Sequence, residues 1–377
     1  MRVRGICAAV LAAACIALPL SAGAEGIEFA LNGVRFNNAL LGGIPPVPAG
    51  VDVEFRIPVA TDTLLLTVRA AGGFEDRLIL RDAAGNPIAK PAPFDTADQT
   101  NWFHWPNAQA DLGILYRPLG SEKPKVELFA MARGRWEANS PDLSVSVFPD
   151  ARGLLALSLM GGAGVDAVVT DPRRSKSGYG GEISFEYGPS ALDLSVGNDF
   201  YRLSAYLEGY LPLFSAGSSD LNSVSAYAAG YLAGDWAGGS AIPLYVLTSF
   251  GGRALRDGLG DSIRGYQGWG YEATAKAEAS VDLRLAGPAL FGMAGLRPMA
   301  YLFGDAGYFG GLDRCASISD KDGLLFSAGA GVALDIFDFV YLGARAGYKF
   351  PAADPLYSTY TPGGDKFFWN ITFLLHF

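Results

Sequence analysis

The chain is short of charge, of cysteine and histidine, and of long apolar runs. Only 18% of its residues are Asp, Glu, Lys or Arg, below the ~25% of ordinary soluble domains. Half of the chain is hydrophobic, and mean hydropathy is +0.21. That balance points to a membrane. Yet after residue 20 charges, Gly-Gly or Pro break every window that approaches the ~20 apolar residues of a membrane helix. A helical membrane protein is thereby excluded. Disorder is excluded too, because 12% of the residues are aromatic and unfolded segments are poor in them. The balance of 29 Lys and Arg against 38 Asp and Glu gives no basic face for nucleic acid. Two residue types stand out instead, with 49 Gly and 40 aromatic Phe and Tyr (23 and 17), a composition that fits many short strands joined by turns.

The first 24 residues read as a signal peptide. Arg2 and Arg4 supply a positive start, Ile6 to Leu20 is apolar, and Ala22-Gly23-Ala24 is a small-x-small cleavage site. Cleavage there takes the 377 residues to 353 and the net charge from −9 to −11. Cutting instead at Cys15 as a lipoprotein would leave Ile16 to Leu20 exposed beyond the anchor. Cys7 and Cys15 lie in the signal, so Cys315 is alone in the mature chain and no internal disulfide is expected.

The dominant pattern is a period of two. From Tyr271 to Leu285 every odd position is apolar, and the even ones are Glu272, Thr274, Lys276, Glu278, Ser280, Asp282 and Arg284. A strand sends successive side chains to opposite faces, so one face is apolar and the other wet. A helix would spread those charges around its circumference and leave no apolar stripe. The same alternation recurs at Val51–Val59, Lys125–Glu137, Glu182–Tyr187, Phe339–Phe350 and Phe367–Phe377. A soluble sandwich and a transmembrane barrel both produce it. The barrel is favoured, because the strands are near the ~9–11 residues that cross a bilayer when tilted. Aromatics such as Tyr187, Tyr348 and Phe350 also gather at strand ends, where interfacial girdles form. The predicted fold is all-β: an antiparallel transmembrane β-barrel of about 16 strands filling residues 25–377. Asn101–Pro106 (NWFHWP) is expected to be an amphipathic interfacial loop.

Between two predicted strands lies a Gly-rich loop, GGRALRDGLGDSIRGYQGWG, from Gly251 to Gly270. It contains Ile263-Arg264-Gly265-Tyr266, and the strand bearing Asp282 follows it. A further strand holds Phe303, Asp305 and Gly307 in an F-x-D-x-G spacing. This order resembles the BamA/TamA, or bacterial surface antigen, family of outer-membrane barrels. The likeness is good from about Leu203 to Phe377 and best over 256–377. It implies a loop folded into the lumen, with Arg264 meeting Asp305 and Asp282. It also implies a C-terminal insertion signal, here Phe373, Leu375 and Phe377, read by the barrel-assembly machinery during biogenesis. By alternation Asp282 and Asp305 fall on the polar face, where a guanidinium binds carboxylates bidentately and stays charged.

The resemblance implies a bacterial outer-membrane location, contact with outer-membrane lipid, and a role in outer-membrane protein insertion or translocation. Members usually carry periplasmic POTRA domains, but strand-like alternation begins here within about 30 residues of the predicted cut, so no room for one is expected if the barrel takes the rest. Separate periplasmic partner proteins would then handle the substrate. The alternative is a passive pore or surface antigen that keeps the fold without assembly activity. No enzyme activity, cofactor or metal is expected. His104 and His376 stand without the spacing of a metal site or a nucleophile–base pair.

Overall fold

The computed structural model describes residues 27–36, 48–61, 63–78, 102–137, 154–195, 197–254, 258–266, 271–312, 322–337, 340–350 and 366–375. The expected signal peptide, Cys315 and Phe377 lie outside them.

The described residues form fifteen antiparallel strands in one sheet, against the expectation of about 16. They are β1 (Glu28–Phe36), β2 (Pro48–Thr61), β3 (Leu64–Leu78), β4 (Trp102–Tyr116), β5 (Lys125–Glu137), β6 (Leu154–Asp166), β7 (Val169–Thr170), β8 (Lys176–Gly188), β9 (Asp199–Gly217) and β10 (Ser223–Ala241). After the long loop come β11 (Ala275–Ala286), β12 (Leu296–Gly310), β13 (Gly323–Ile336), β14 (Val340–Lys349) and β15 (Phe367–Leu375). Strand β7 is a two-residue flap on β8. Neighbours in sequence otherwise pair in order, β6 joins β8, and β1 joins β15, so the sheet closes on itself. Closure pairs the backbone and removes edges, as a membrane requires of strands. Several strands are long, with 19 residues in each of β9 and β10.

Alternation sorts the side chains as predicted. Leu128, Ile183, Phe185, Leu232, Val281 and Leu302 stand exposed on the outer wall. Asp111, Arg133, Glu182, Asp235, Asp282 and Asp305 are buried on the inner one. An outer wall of exposed aliphatic and aromatic side chains faces lipid, and the polar wall faces the lumen. Connections are short at one rim, as in 62–63 and 218–222, and longer at the other, as in 242–274. Short turns mark the periplasmic rim of such barrels, and the start of β1 and the end of β15 lie there.

Two readings of the sequence are corrected. Trp102–Pro106 is no loop: it opens β4 and pairs with Phe74–Leu78 of β3. Extended aromatic residues fit a pleated surface, and Pro106 sits where β3 supplies the partner strand. The strand predicted from Tyr271 begins only at Ala275. Tyr271 and Ala273 do not face lipid but are buried in a lumen cluster with Phe250, Leu259, Ile263, Tyr266 and Phe309. Their apolar side chains find partners on the loop, which local alternation does not register.

The seam between first and last strands is narrow. Among the described residues, β1 and β15 meet only at Val34 with Leu375 and Arg35 with Leu374. The neighbouring β14–β15 ladder runs from Val340–Leu375 to Tyr348–Phe367.

Candidate functional site: a loop folded into the lumen

The connection from β10 to β11 enters the barrel. It opens with a short helix, α1 (Leu244–Thr248), whose five residues are all buried. Tyr245 and Val246 pack on Leu154, Ala156, Phe200 and Ala237 of the inner wall. Beneath them Arg202 donates through Nε to both Asp235 oxygens at 3.0 Å. Lys276 Nζ lies 3.2 Å from the same carboxylate and donates to the carbonyls of Val246 (2.9 Å) and Leu247 (3.2 Å). Two cations on one carboxylate thus also satisfy carbonyls that a helix end leaves without partners.

A second turn, α2 (Leu259–Ser262), delivers Ile263, Arg264, Gly265 and Tyr266. Arg264 donates from Nε (2.8 Å), Nη2 (2.5 Å) and its backbone N–H (3.0 Å) to Asp305. Nη2 also reaches Asp282 and Ser280, both at 2.7 Å. Ser280 (2.8 Å) and Ser327 (3.1 Å) complete the Asp305 shell through their hydroxyls. Arg284 donates to Asp282 at 2.7 and 3.0 Å, so that carboxylate is shared by two arginines. Burial works against the Arg264 charge, but the hydrogen bonds and field of Asp305 and Asp282 outweigh it and hold the pKa above its usual value. The guanidinium lies 4.0 Å from the Phe303 ring centre, a distance for cation–π attraction.

The neighbouring motif residues shape this contact. Gly265 has φ +94°, and a Cβ there would sit 2.3 Å from the Phe368 ring. A side chain would therefore be both strained and blocked. Ile263 is buried against Gly307, where a Cβ would lie 2.8 Å from its Cγ1. Tyr266 donates its hydroxyl to the Phe326 carbonyl at 3.0 Å. The structure thus brings together Ile263, Arg264, Gly265, Tyr266, Asp282, Phe303, Asp305 and Gly307. Phe373 and Leu375 belong to β15.

Sequence reasoning passed over the other end of the loop. Arg253 donates through its backbone N–H and Nε to Glu182 (2.8 and 2.7 Å) and through Nη1 to Glu127 (2.6 Å). Its guanidinium lies 4.9 Å from the Phe129 ring centre. Arg133 holds the carbonyls of Gly252 (3.0 Å) and Arg253 (2.8 Å), and Arg69 also donates to the Arg253 carbonyl. The signal was present as an arginine after Gly251-Gly252 in the loop, and as acids at polar-face positions of β5 and β8.

No family model matches the chain, and no curated protein sequence matches it. Solved structures do. BamA from Haemophilus ducreyi lacking POTRA domains 1–3 matches with TM-score 0.52 at 15% identity, covering 93% of this chain and 69% of that one. CdiB from Acinetobacter baumannii gives 0.49 at 15% identity, covering 87% of this chain and 49% of that one. CdiB from Escherichia coli gives 0.47 at 14%, with 94% and 63% covered. At such identities the likeness speaks to the fold. The likeness to BamA, with the closed antiparallel sheet and the apolar outer wall, gives the chain the fold of a transmembrane β-barrel of the bacterial outer membrane.

Proposed function

We propose that this barrel acts in the insertion or translocation of other outer-membrane proteins. The observation that carries this reading is the lumen loop, whose Ile263–Tyr266 tip docks on the acidic strands β11 and β12. The same residues carry the resemblance to the BamA/TamA barrels. A loop with two apolar clusters and buried ion pairs occupies the space that a passive pore would leave to solute. Substrate handling then falls to the wall, and among the described residues the wall is weakest at the β1–β15 seam, with two residue pairs. A strand edge exposed there is a template for a further strand. Outer-membrane lipid surrounds the barrel, and separate periplasmic proteins would present the substrate at the short-turn rim.

Locking the seam tests this reading. Val34→Cys and Leu375→Cys, in a Cys315→Ser background, place thiols at directly paired positions. The oxidised protein in proteoliposomes should fail to insert a reporter barrel, and a reductant should restore insertion. Equal insertion in both redox states would overturn the role of the seam. A steady conductance in planar bilayers without insertion in either state would favour the passive pore.

A further inference from the structure

The loop carries two arginine contacts on different walls, and only the one at Arg264 belongs to the motif behind the proposed function. We infer that Gly251-Gly252-Arg253 is a second latch, so that the loop is a partition held at two walls and the lumen opens only when both are released. The inference stands on ring order and contacts. The tip grips β11 through Asp282 and Ser280, β12 through Asp305, and β13 through the Phe326 carbonyl. Arg253 grips β8 through Glu182 and β5 through Glu127, and its carbonyl accepts from Arg69 of β3 and Arg133 of β5. In the closed order β5-β6-β8-β9-β10-β11-β12, β5 and β12 are six steps apart in a ring of fourteen described strands. They are nearly opposite walls, and the described residues 251–254 and 258–266 place one end of the loop on each.

The second latch is built like the first. In each, the backbone N–H and Nε of the arginine share one carboxylate, a terminal guanidinium nitrogen reaches a second carboxylate, and an aromatic ring lies close by. Gly252 has φ +123°, a backbone region open to glycine and strained for other residues. Its carbonyl is thereby turned to Arg133 while Arg253 turns to Glu182. Arg133 is fully buried and also binds Asp111 at 3.0 and 3.1 Å, so the receiving wall is itself held rigid. Burial opposes the Arg253 charge, and the field and hydrogen bonds of Glu182 and Glu127 outweigh it, raising its pKa. Neither latch depends on the other's residues. With one broken, the other keeps the segment inside the barrel, where it still obstructs the lumen.

Conductance of the purified full barrel in planar bilayers tests this without any insertion substrate, so its outcome is separate from that of the seam experiment. Arg253→Ala and Arg264→Ala are compared with the double variant, and unheated gel mobility verifies that each barrel is folded. Each single variant should stay closed most of the time. The double variant should hold an open state at least roughly tenfold longer than Arg264→Ala alone, since breaking a buried ion pair releases that much or more. Arg253→Lys combined with Arg264→Ala should fall between, because an ammonium cannot reproduce the planar fork. If Arg253→Ala does not fold, Glu127→Gln with Glu182→Gln removes the acceptor charges and serves in its place. A double variant that conducts no more than Arg264→Ala would overturn the inference. So would either single variant opening as fully as the double.

Discussion

Replacing Arg264 with alanine removes two side-chain hydrogen bonds to Asp305 and one each to Asp282 and Ser280, and leaves the bond from the backbone N–H to Asp305. The Asp305 side chain is fully buried, while that of Arg264 is 10% exposed. Truncating one partner of a buried pair typically costs ~3–5 kcal/mol, because the other charge is left uncompensated. Two features lower the figure here: Ser280 and Ser327 still donate to Asp305, and the backbone N–H of residue 264 stays on the same carboxylate. We expect ~2–4 kcal/mol, or roughly 100-fold in the ratio of docked to undocked tip. The barrel wall does not depend on this contact, so the loss should appear as local opening rather than global unfolding. Amide hydrogen exchange of residues 258–266 reads it directly, and strands β11 and β12 serve as internal reference. Asp305→Asn completes a double-mutant cycle. Each single change strands a charge that the double change does not, so the double should cost less than the sum by ~1–3 kcal/mol. Additivity within ~0.5 kcal/mol, or unchanged exchange in Arg264→Ala, would refute the ion pair as the anchor of the tip.

Two further outcomes follow from particular positions. Gly265→Ala meets both a positive φ and the Phe368 ring 2.3 Å away. Strain of order 1–3 kcal/mol should raise exchange at the tip while the unheated gel band of the folded barrel stays in place, and a protected tip would count against the reasoning. Ile183→Arg puts a charge on the lipid wall, where Ile183 is 53% exposed, at a cost of ~2–4 kcal/mol near the bilayer midplane. The fraction refolding into lipid to the heat-modifiable form should drop against an Ile183→Leu control, and an equal yield would contradict the assignment of the outer face.

The barrel was legible because its information is local. In Glu182–Tyr187, Glu182, Ser184 and Glu186 point inward and Ile183, Phe185 and Tyr187 outward, as the period of two requires. Asp282 and Asp305 fell on the polar face by the same count. The approach of Arg264 to them was legible only through the order of a loop motif and an F-x-D-x-G strand, since no local rule joins residues 41 apart. Alternation misled at Tyr271 and Ala273. There the apolar partner is another part of the loop rather than lipid, and hydrophobicity alone does not tell the two apart.

The sequence by itself determined the class of fold, the face that each strand shows to lipid, and the loop that stands out between β10 and β11. These depend on side-chain direction along a strand, which neighbours one and two residues away decide. Only the tertiary structure decided which walls meet that loop. Arg253 pairs with Glu182 and Glu127, 71 and 126 residues away, and the first strand meets the last at Val34 and Leu375. Such contacts arise from ring closure, which sets one strand opposite another by count and stagger around the barrel, a quantity that no single stretch of the chain contains.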